Sequence, residues 1–297
     1  MQILVSGLSG LVGQALKTRL QAAGHSVRGL SRQANPAQQV FAWDPKHRQI
    51  DQQAFVGLDA VIHLAGENIA GARWTPDVKQ RIRDSRVQGT RFLCETLAHS
   101  SQPPKTFLCA SATGYYGDRG DELLTEASPP GKGFLPEVSV EWEAACQPVK
   151  AIGMRVVNVR TGMVLSRQGG ALAKMLPLFR WGMGGILGTG DQFWSWITLT
   201  DLVSVIVRCL EDTTFSGPVN AVAPQPVTNR EFTKELARAV HRPALVPAPK
   251  FLLRLAIGEM ADDLLLASTR AVPQKLQQAD FVFEQPNLAG ALQHEIG

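Results

Sequence analysis

Two hydrophobic periods alternate along the first half of the chain. Short, nearly continuous apolar runs recur at residues 2–6, 26–30, 40–43, 58–66, 106–111 and 155–160, each bounded by glycine or polar residues. Between them lie longer stretches with apolar positions three and four apart: one opening near Gln14, one from Pro76 to His99, and one from about Pro136 to Ala151. Runs of the first kind are strands buried on both faces, and stretches of the second kind are amphipathic helices. Their alternation predicts an α/β fold, a doubly wound parallel Rossmann sheet with right-handed crossovers and a ligand across the carboxyl ends of its strands.

The second half is less regular. Gly, Trp and Pro punctuate residues 177–196, a helix opens near Asp201, and Gly217 to Val222 returns as a strand. Thr228 followed by Glu231 is a capping signature for a helix reaching Val240, and Pro243, Pro247 and Pro249 then separate a final, mostly helical segment. Glycine and proline joints near Gly169, Gly188 and Pro224 divide the chain. Residues 1–165 with 196–225 are expected to form the dinucleotide-binding domain, and 166–195 with 226–297 a smaller substrate domain, a lid over its carboxyl edge.

The first strand runs directly into Gly7, Ser9, Gly10, Leu11, Val12 and Gly13, then into a helix. Glycines at this spacing allow a tight turn, a close approach of backbone amides to a pyrophosphate and close helix–strand packing, and the helix N-terminus attracts the phosphate charge. The second strand ends at Ser31 and Arg32 with no acidic residue to bind a ribose 2′-hydroxyl. A carboxylate there would repel a 2′-phosphate, whereas Arg32 pairs with one through two charge-assisted bonds and Ser31 adds a third, so the expected cofactor is NADP in preference to NAD. Trp43 and Asp44, after the third strand, are expected to flank the adenine.

Composition narrows the class. The chain has 297 residues, 44% of them hydrophobic, enough for one large domain and an appended smaller one. No apolar run is long enough to span a bilayer and the first residues already form a strand, so the expectation is a cytoplasmic protein with no membrane partner. The four cysteines and six histidines are scattered, which predicts no disulfide framework and no metal site. A net charge of +4 with no basic run favours a small anionic ligand over nucleic acid.

Several segments together carry a family resemblance. They are the Gly7-x-x-Gly10-x-x-Gly13 loop, His63-Leu64-Ala65-Gly66, Val87-Gln88-Gly89-Thr90, Ser111-Ala112-Thr113-Gly114-Tyr115-Tyr116-Gly117 and Gly188-Thr189-Gly190-Asp191-Gln192. The chain resembles the extended short-chain dehydrogenase/reductase superfamily, which includes nucleotide-sugar epimerases. Ser85-Arg86-Val87, Gly182-x-Gly184-Gly185, Trp194-Ser195-Trp196-Ile197 and Leu253-x-x-x-Ile257-Gly258-Glu259-Met260 are similar to a bacterial epimerase branch with its own C-terminal domain. The resemblance adds Leu64, Ala65 and Gly66 to the cofactor site and implies a possible homodimer through the long helices.

The superfamily's tyrosine and lysine, four residues apart on a helix, are missing. The corresponding helix reads Phe134-Leu135-Pro136-Glu137-Val138-Ser139-Val140-Glu141-Trp142, and the only tyrosines are Tyr115 and Tyr116. Ser111 stands where the substrate-contacting serine belongs. Three readings follow: an oxidoreductase or epimerase on a small, anionic carbonyl or sugar-like substrate with a relocated acid/base group, drawn from Tyr115, Tyr116, Lys79 or Glu67; a non-catalytic NADP(H)-sensing or assembly protein; and a nucleotide-sugar epimerase. For an enzyme, Ser111 and Tyr115 are the candidate catalytic residues. The substrate would lie between them and the helix bearing Lys79 and Arg86 on one side, and Gln192 with Trp194 on the other.

Overall fold

The computed structural model describes residues 1–297. The first half builds strands β1 (Gln2–Ser6), β2 (Ser26–Ser31), β3 (Val40–Asp44), β4 (Gln49–Ile50), β5 (Ala60–His63), β6 (Thr106–Ala112) and β7 (Leu123–Leu124). Helices α1 (Leu11–Ala22), α2 (Pro76–Ala98), α3 (Phe134–Ala144) and α4 (Gln147–Ala151) accompany them. The second half adds β8 (Arg155–Thr161), β9 (Met163–Leu165), α5 (Gly170–Arg180), β10 (Phe193–Trp194), β11 (Trp196–Thr198), α6 (Leu199–Glu211), β12 (Gly217–Ala221), β13 (Val227–Thr228) and α7 (Asn229–Ala239). The chain closes with α8 (Lys250–Ile257), β14 (Arg270–Ala271), α9 (Gln274–Gln278) and α10 (Leu288–Ile296).

Eight strands form one sheet in the order β12-β8-β6-β5-β1-β2-β3-β4, parallel except for the β3–β4 pair. Strand order reverses at β1, so the crevice between the ends of β1 and β5 is the topological switch point where this architecture binds ligands. One face of the sheet is covered by α1 and α6, with Leu16, Leu20, Val205 and Ile206 in the core. The other is covered by α2, α3 and α4, with Phe92, Leu93, Trp142 and Val149.

Helix boundaries differ from the sequence expectation for local reasons. Helix α1 starts at Leu11 because Gly10 already serves as its N-cap. The expected helix from Pro136 to Ala151 is broken at Cys146, since Pro148 lacks the N–H needed to continue the ladder. Helix α6 begins at Leu199, where Thr198 caps it by accepting the Asp201 N–H. Helix α7 carries the full capping box of Thr228 and Glu231.

A second core gathers Leu172, Phe179, Trp194, Phe232, Leu236 and Leu292 from α5, α7, α10 and the β10 segment. The expected lid does not take in all of residues 226–297. Strand β14 pairs with β7, Leu276 of α9 enters the main core, and Phe281 and Phe283 pack against it. Beside the edge strand β12, Asn220 donates its side-chain N–H to Val272 C=O and Lys275 donates to Ser216 C=O. This strap covers a sheet edge that would otherwise present unpaired backbone groups, a need no hydrophobic pattern in the strap itself announces.

Candidate active site

At the switch point, Gly7 turns the chain with φ +77°, and a Cβ at Gly13 would lie 2.2 Å from the Gly7 carbonyl oxygen. Only glycine permits that approach of helix to strand. The first intrahelical bond of α1 runs from Gln14 N–H to Gly10 C=O, so the amides of Leu11, Val12 and Gly13 point out of the helix start without intrahelical partners. Ser9 and Gly10 are exposed in front of them, and no acidic residue occupies the first turn. The opposite wall is Leu64, Ala65 and Gly66. Ser6 Oγ accepts the Leu64 and Ala65 N–H groups at 3.2 and 3.3 Å and is hydrogen-bonded with His63 Nδ1 at 2.6 Å. His63 itself is fully buried and held neutral, its pKa lowered to about 4 by desolvation, so it braces the loop from below.

At the end of β2, Ser31 Oγ accepts the Gln33 N–H at 3.3 Å, and Arg32 is exposed next to it. Asp44, at the end of β3, holds a turn by accepting the Lys46 N–H at 3.0 Å and His47 Nδ1 at 2.7 Å. Trp43 is buried, its ring 5.7 Å from that of His63, so it underlies this corner and presents little surface.

Ser111, at the end of β6, donates its hydroxyl to Glu143 Oε1 at 2.7 Å. Glu143 on α3 is gripped by Arg160 of β8, Nε to Oε1 at 2.8 Å and Nη2 to Oε2 at 2.9 Å. Arg160 is almost wholly buried, with Nη1 donating to Tyr116 Oη at 3.1 Å and its guanidinium 3.4 Å from the centre of the Tyr115 ring. Its pKa is raised despite desolvation, because the Glu143 carboxylate and Tyr116 favour the charged form. Tyr116 is fully buried and donates to Asn220 Oδ1 at 2.7 Å; desolvation raises its pKa, against the pull of Arg160. Tyr116 therefore belongs to the scaffold, while Tyr115 stays partly exposed on the face above Arg160.

The four expected substrate contacts are all engaged within the protein. Lys79 Nζ bonds Glu259 Oε1 at 2.6 Å and lies 4.6 Å from the centre of the Phe134 ring. Arg86 donates to Glu67 C=O and Ile82 C=O and stacks over Trp142; burial lowers its pKa to about 10. Gln192 Nε2 donates to the Leu187 and Leu265 carbonyls, and Trp194 Nε1 to the Leu265 carbonyl. Gln192 and Trp194 are buried and anchor the segment that follows residue 262. Glu67 remains exposed, its own N–H donating to Ser85 Oγ.

That segment carries a group absent from the sequence expectation. Asp263, in a π-helical turn over Asp262–Leu266, is half-buried, and its Oδ2 is shielded from solvent without a hydrogen-bond partner. Burial first, then Glu259 and Asp262, push its carboxyl pKa up, against Lys79 and the Leu135 amide. Leu135 opens α3, the helix that lacks the tyrosine and lysine, and touches the Ser111 loop at Gly114. Met260 anchors the segment against Trp74, Val78 and Ile82. Arg160 was detectable in the sequence as a cation following Val157 and Val159 on a buried strand, where a charge requires a partner. Nothing local marks Asp263, whose setting is made by three distant elements.

Residues 3–221 match the NAD dependent epimerase/dehydratase family, and residues 248–295 match a domain of unknown function, DUF1731. An epimerase family protein of Mycobacterium bovis is 42% identical over 98% of this chain and 96% of its own length. The human epimerase family protein SDR39U1 is 33% identical over the full length of both chains. Its crystal structure with NADPH superposes with a TM-score of 0.92 at 32% identity, covering 100% of this chain and 99% of that one. A nucleoside-diphosphate sugar epimerase from Corynebacterium glutamicum has a TM-score of 0.83 at 37% identity; all of this chain matches 58% of that longer one.

Proposed function

Because the chain belongs to the NAD-dependent epimerase/dehydratase family, we propose that it binds NADP(H) at the β1–β5 switch point and transfers hydride to or from a small, oxygen-rich, anionic carbonyl or sugar-like substrate. The observation that carries the cofactor choice is Arg32, exposed at the end of β2 with no carboxylate beside it in sequence; the NADPH in the human relative's structure supports it. The residues present fit the dinucleotide. The Gly7–Gly13 contact brings the amides of Leu11, Val12 and Gly13 to the pyrophosphate, with no Cβ at Gly10 in the way. Arg32 and Ser31 take the 2′-phosphate, Leu64, Ala65 and Gly66 form the wall towards the nicotinamide, and Asp44 with the underlying Trp43 closes the adenine side. When bound, the cofactor supplies or accepts the hydride.

The chain's own residues hold the substrate and handle its proton. The Ser111 hydroxyl proton is committed to Glu143 and the Arg160 pair keeps that carboxylate in place, so Ser111 offers lone pairs and receives a hydrogen bond from a substrate hydroxyl. To Asp263, whose carboxyl pKa is raised by burial and which lies against the Leu135 amide of α3, we assign the proton exchange that the missing tyrosine would have made. Tyr115 walls the pocket above Arg160, and Lys79 and Arg86 supply positive potential from α2.

A panel of sugar nucleotides and small carbonyl compounds, assayed with NADP(H), tests this reading. The expected result is turnover of a small carbonyl or its alcohol, with negligible nucleotide-sugar epimerisation. Asp263→Asn then lowers kcat by about a hundredfold, Ser111→Ala raises KM, and Tyr115→Phe has the smaller effect. Rapid nucleotide-sugar epimerisation that survives all three substitutions contradicts it. Tight NADPH binding with no turnover anywhere in the panel favours the redox-sensing reading, to which the internally committed Gln192, Trp194 and Lys79 side chains lend support.

A further inference from the structure

A face formed by residues 178–188 and 230–257 combines two properties that no step of hydride transfer uses. Eight of the fourteen large apolar side chains that stand out in solvent lie within residues 178–183 and 245–255. Trp181 is 76% exposed, Leu245 78%, Phe251 67% and Leu255 73%. The two segments are neighbours: Val246 N–H donates to Gly184 C=O at 3.1 Å and Ala248 N–H to Ile186 C=O at 2.9 Å, and α8 starts two residues later. Beside them runs an open groove of about 780 Å³, lined by Arg230, Lys234, Arg238, His241 and Arg242 among others. Residues 178–188 and 230–257 carry seven Lys or Arg against two Asp or Glu; Arg230, Arg238 and Arg254 pair with Asp191, Glu235 and Asp262, and Arg180, Lys234, Arg242 and Lys250 carry the excess.

We infer that this face docks on an anionic lipid surface. Projecting Trp, Phe and Leu side chains gain free energy by entering an apolar phase, and cations around them gain by meeting negative headgroups. Two copies of the chain brought together through the same face would oppose their cations, which disfavours self-association. A nucleic acid would leave the leucines in water. Helix α8 has eight residues, too few to cross a bilayer, and no helix of the chain is long and apolar enough to do so. Its Lys250 and Arg254 alternate with Phe251, Leu252 and Leu255, the arrangement of a short helix lying in the interface plane. The inference departs from the sequence expectation of no membrane partner, which rested on composition, because only the fold shows which apolar residues are left outside.

The test is co-sedimentation of the full chain with vesicles of phosphatidylcholine alone and of phosphatidylcholine with phosphatidylglycerol, at low and high salt. Binding is expected only with phosphatidylglycerol present, falling at least about tenfold at high salt. Iodide quenching of tryptophan fluorescence should decrease on binding, and the protected fraction should vanish in Trp181→Phe. The double variants Phe251→Ser/Leu255→Ser and Lys234→Glu/Arg242→Glu should each weaken partitioning by about tenfold or more, with circular dichroism and melting temperature unchanged. Equal binding to neutral vesicles, no binding to either, undiminished binding by both variants, or capture by polyglutamate in place of vesicles would overturn the assignment.

Discussion

Asp263 carries a cost that makes its role measurable without a substrate. Its folded-state pKa lies above the ordinary 3.8, so over the interval between the two values the folded chain holds more protons than the unfolded one. Its ionisation therefore removes stability as pH rises through that interval, and the loss is complete above the folded-state value. Asp263→Asn should melt higher than the wild type at neutral pH, and the gap should close as pH falls below the ordinary carboxylate range; a gap independent of pH would contradict the burial argument. His63 has the opposite sign. Its pKa is lowered to about 4, so the unfolded chain binds the proton first, and its contribution is lost as pH falls from about 6.5 to 4. The glycine loop gives a sharper contrast at the same scale. Gly13→Ala forces a Cβ to 2.2 Å from the Gly7 oxygen and should destabilise the fold itself, whereas Gly10→Ala meets that oxygen at 3.3 Å and should fold yet lose cofactor affinity. Thermal melting and NADPH titration of the two variants separate these effects. The loop was legible in the sequence because its function is written in local backbone demands; Asp263 was not, because its environment comes from α2, α3 and the C-terminal segment together.

Among the elements, α3 has kept its place and changed its chemistry. Its Glu143 ties β6 through Ser111 to β8 through Arg160, and the pair is buried. Glu143→Ala leaves the Arg160 guanidinium buried without its carboxylate and should cost about 3–5 kcal/mol. Ser111→Ala removes one hydrogen bond and should cost about 1 kcal/mol. Urea unfolding of the two variants checks the order, and equal losses would mean that the pair does not organise the site. Strands and long helices were readable from hydrophobic period alone, since burial on both sheet faces dictates it. The break between α3 and α4 needed the meaning of Pro148, and the strap beside β12 needed the sheet order, which determines which strand is left at the edge.

At the scale of the whole molecule, a doubly wound sheet brings the glycine loop, the end of β2 and the Ser111 loop to one rim, although they are separated by much of the chain. The segments that the sequence assigned to the cofactor half of that rim could be located because each lies within a few residues of a strand end. The substrate half was read less well: Gln192 and Trp194, expected to face the substrate, hold the C-terminal segment through the Leu265 carbonyl. The account rests on the rim accepting a 2′-phosphorylated dinucleotide, and calorimetric titration of the wild type and Arg32→Ala with NADPH and NADH tests that most directly. The wild type should prefer NADPH, and Arg32→Ala should lose roughly tenfold to hundredfold in NADPH affinity, the value of a charge-assisted contact, with NADH binding unchanged. Equal affinity of the wild type for both cofactors, or an Arg32→Ala variant that binds NADPH as tightly as the wild type, would contradict it.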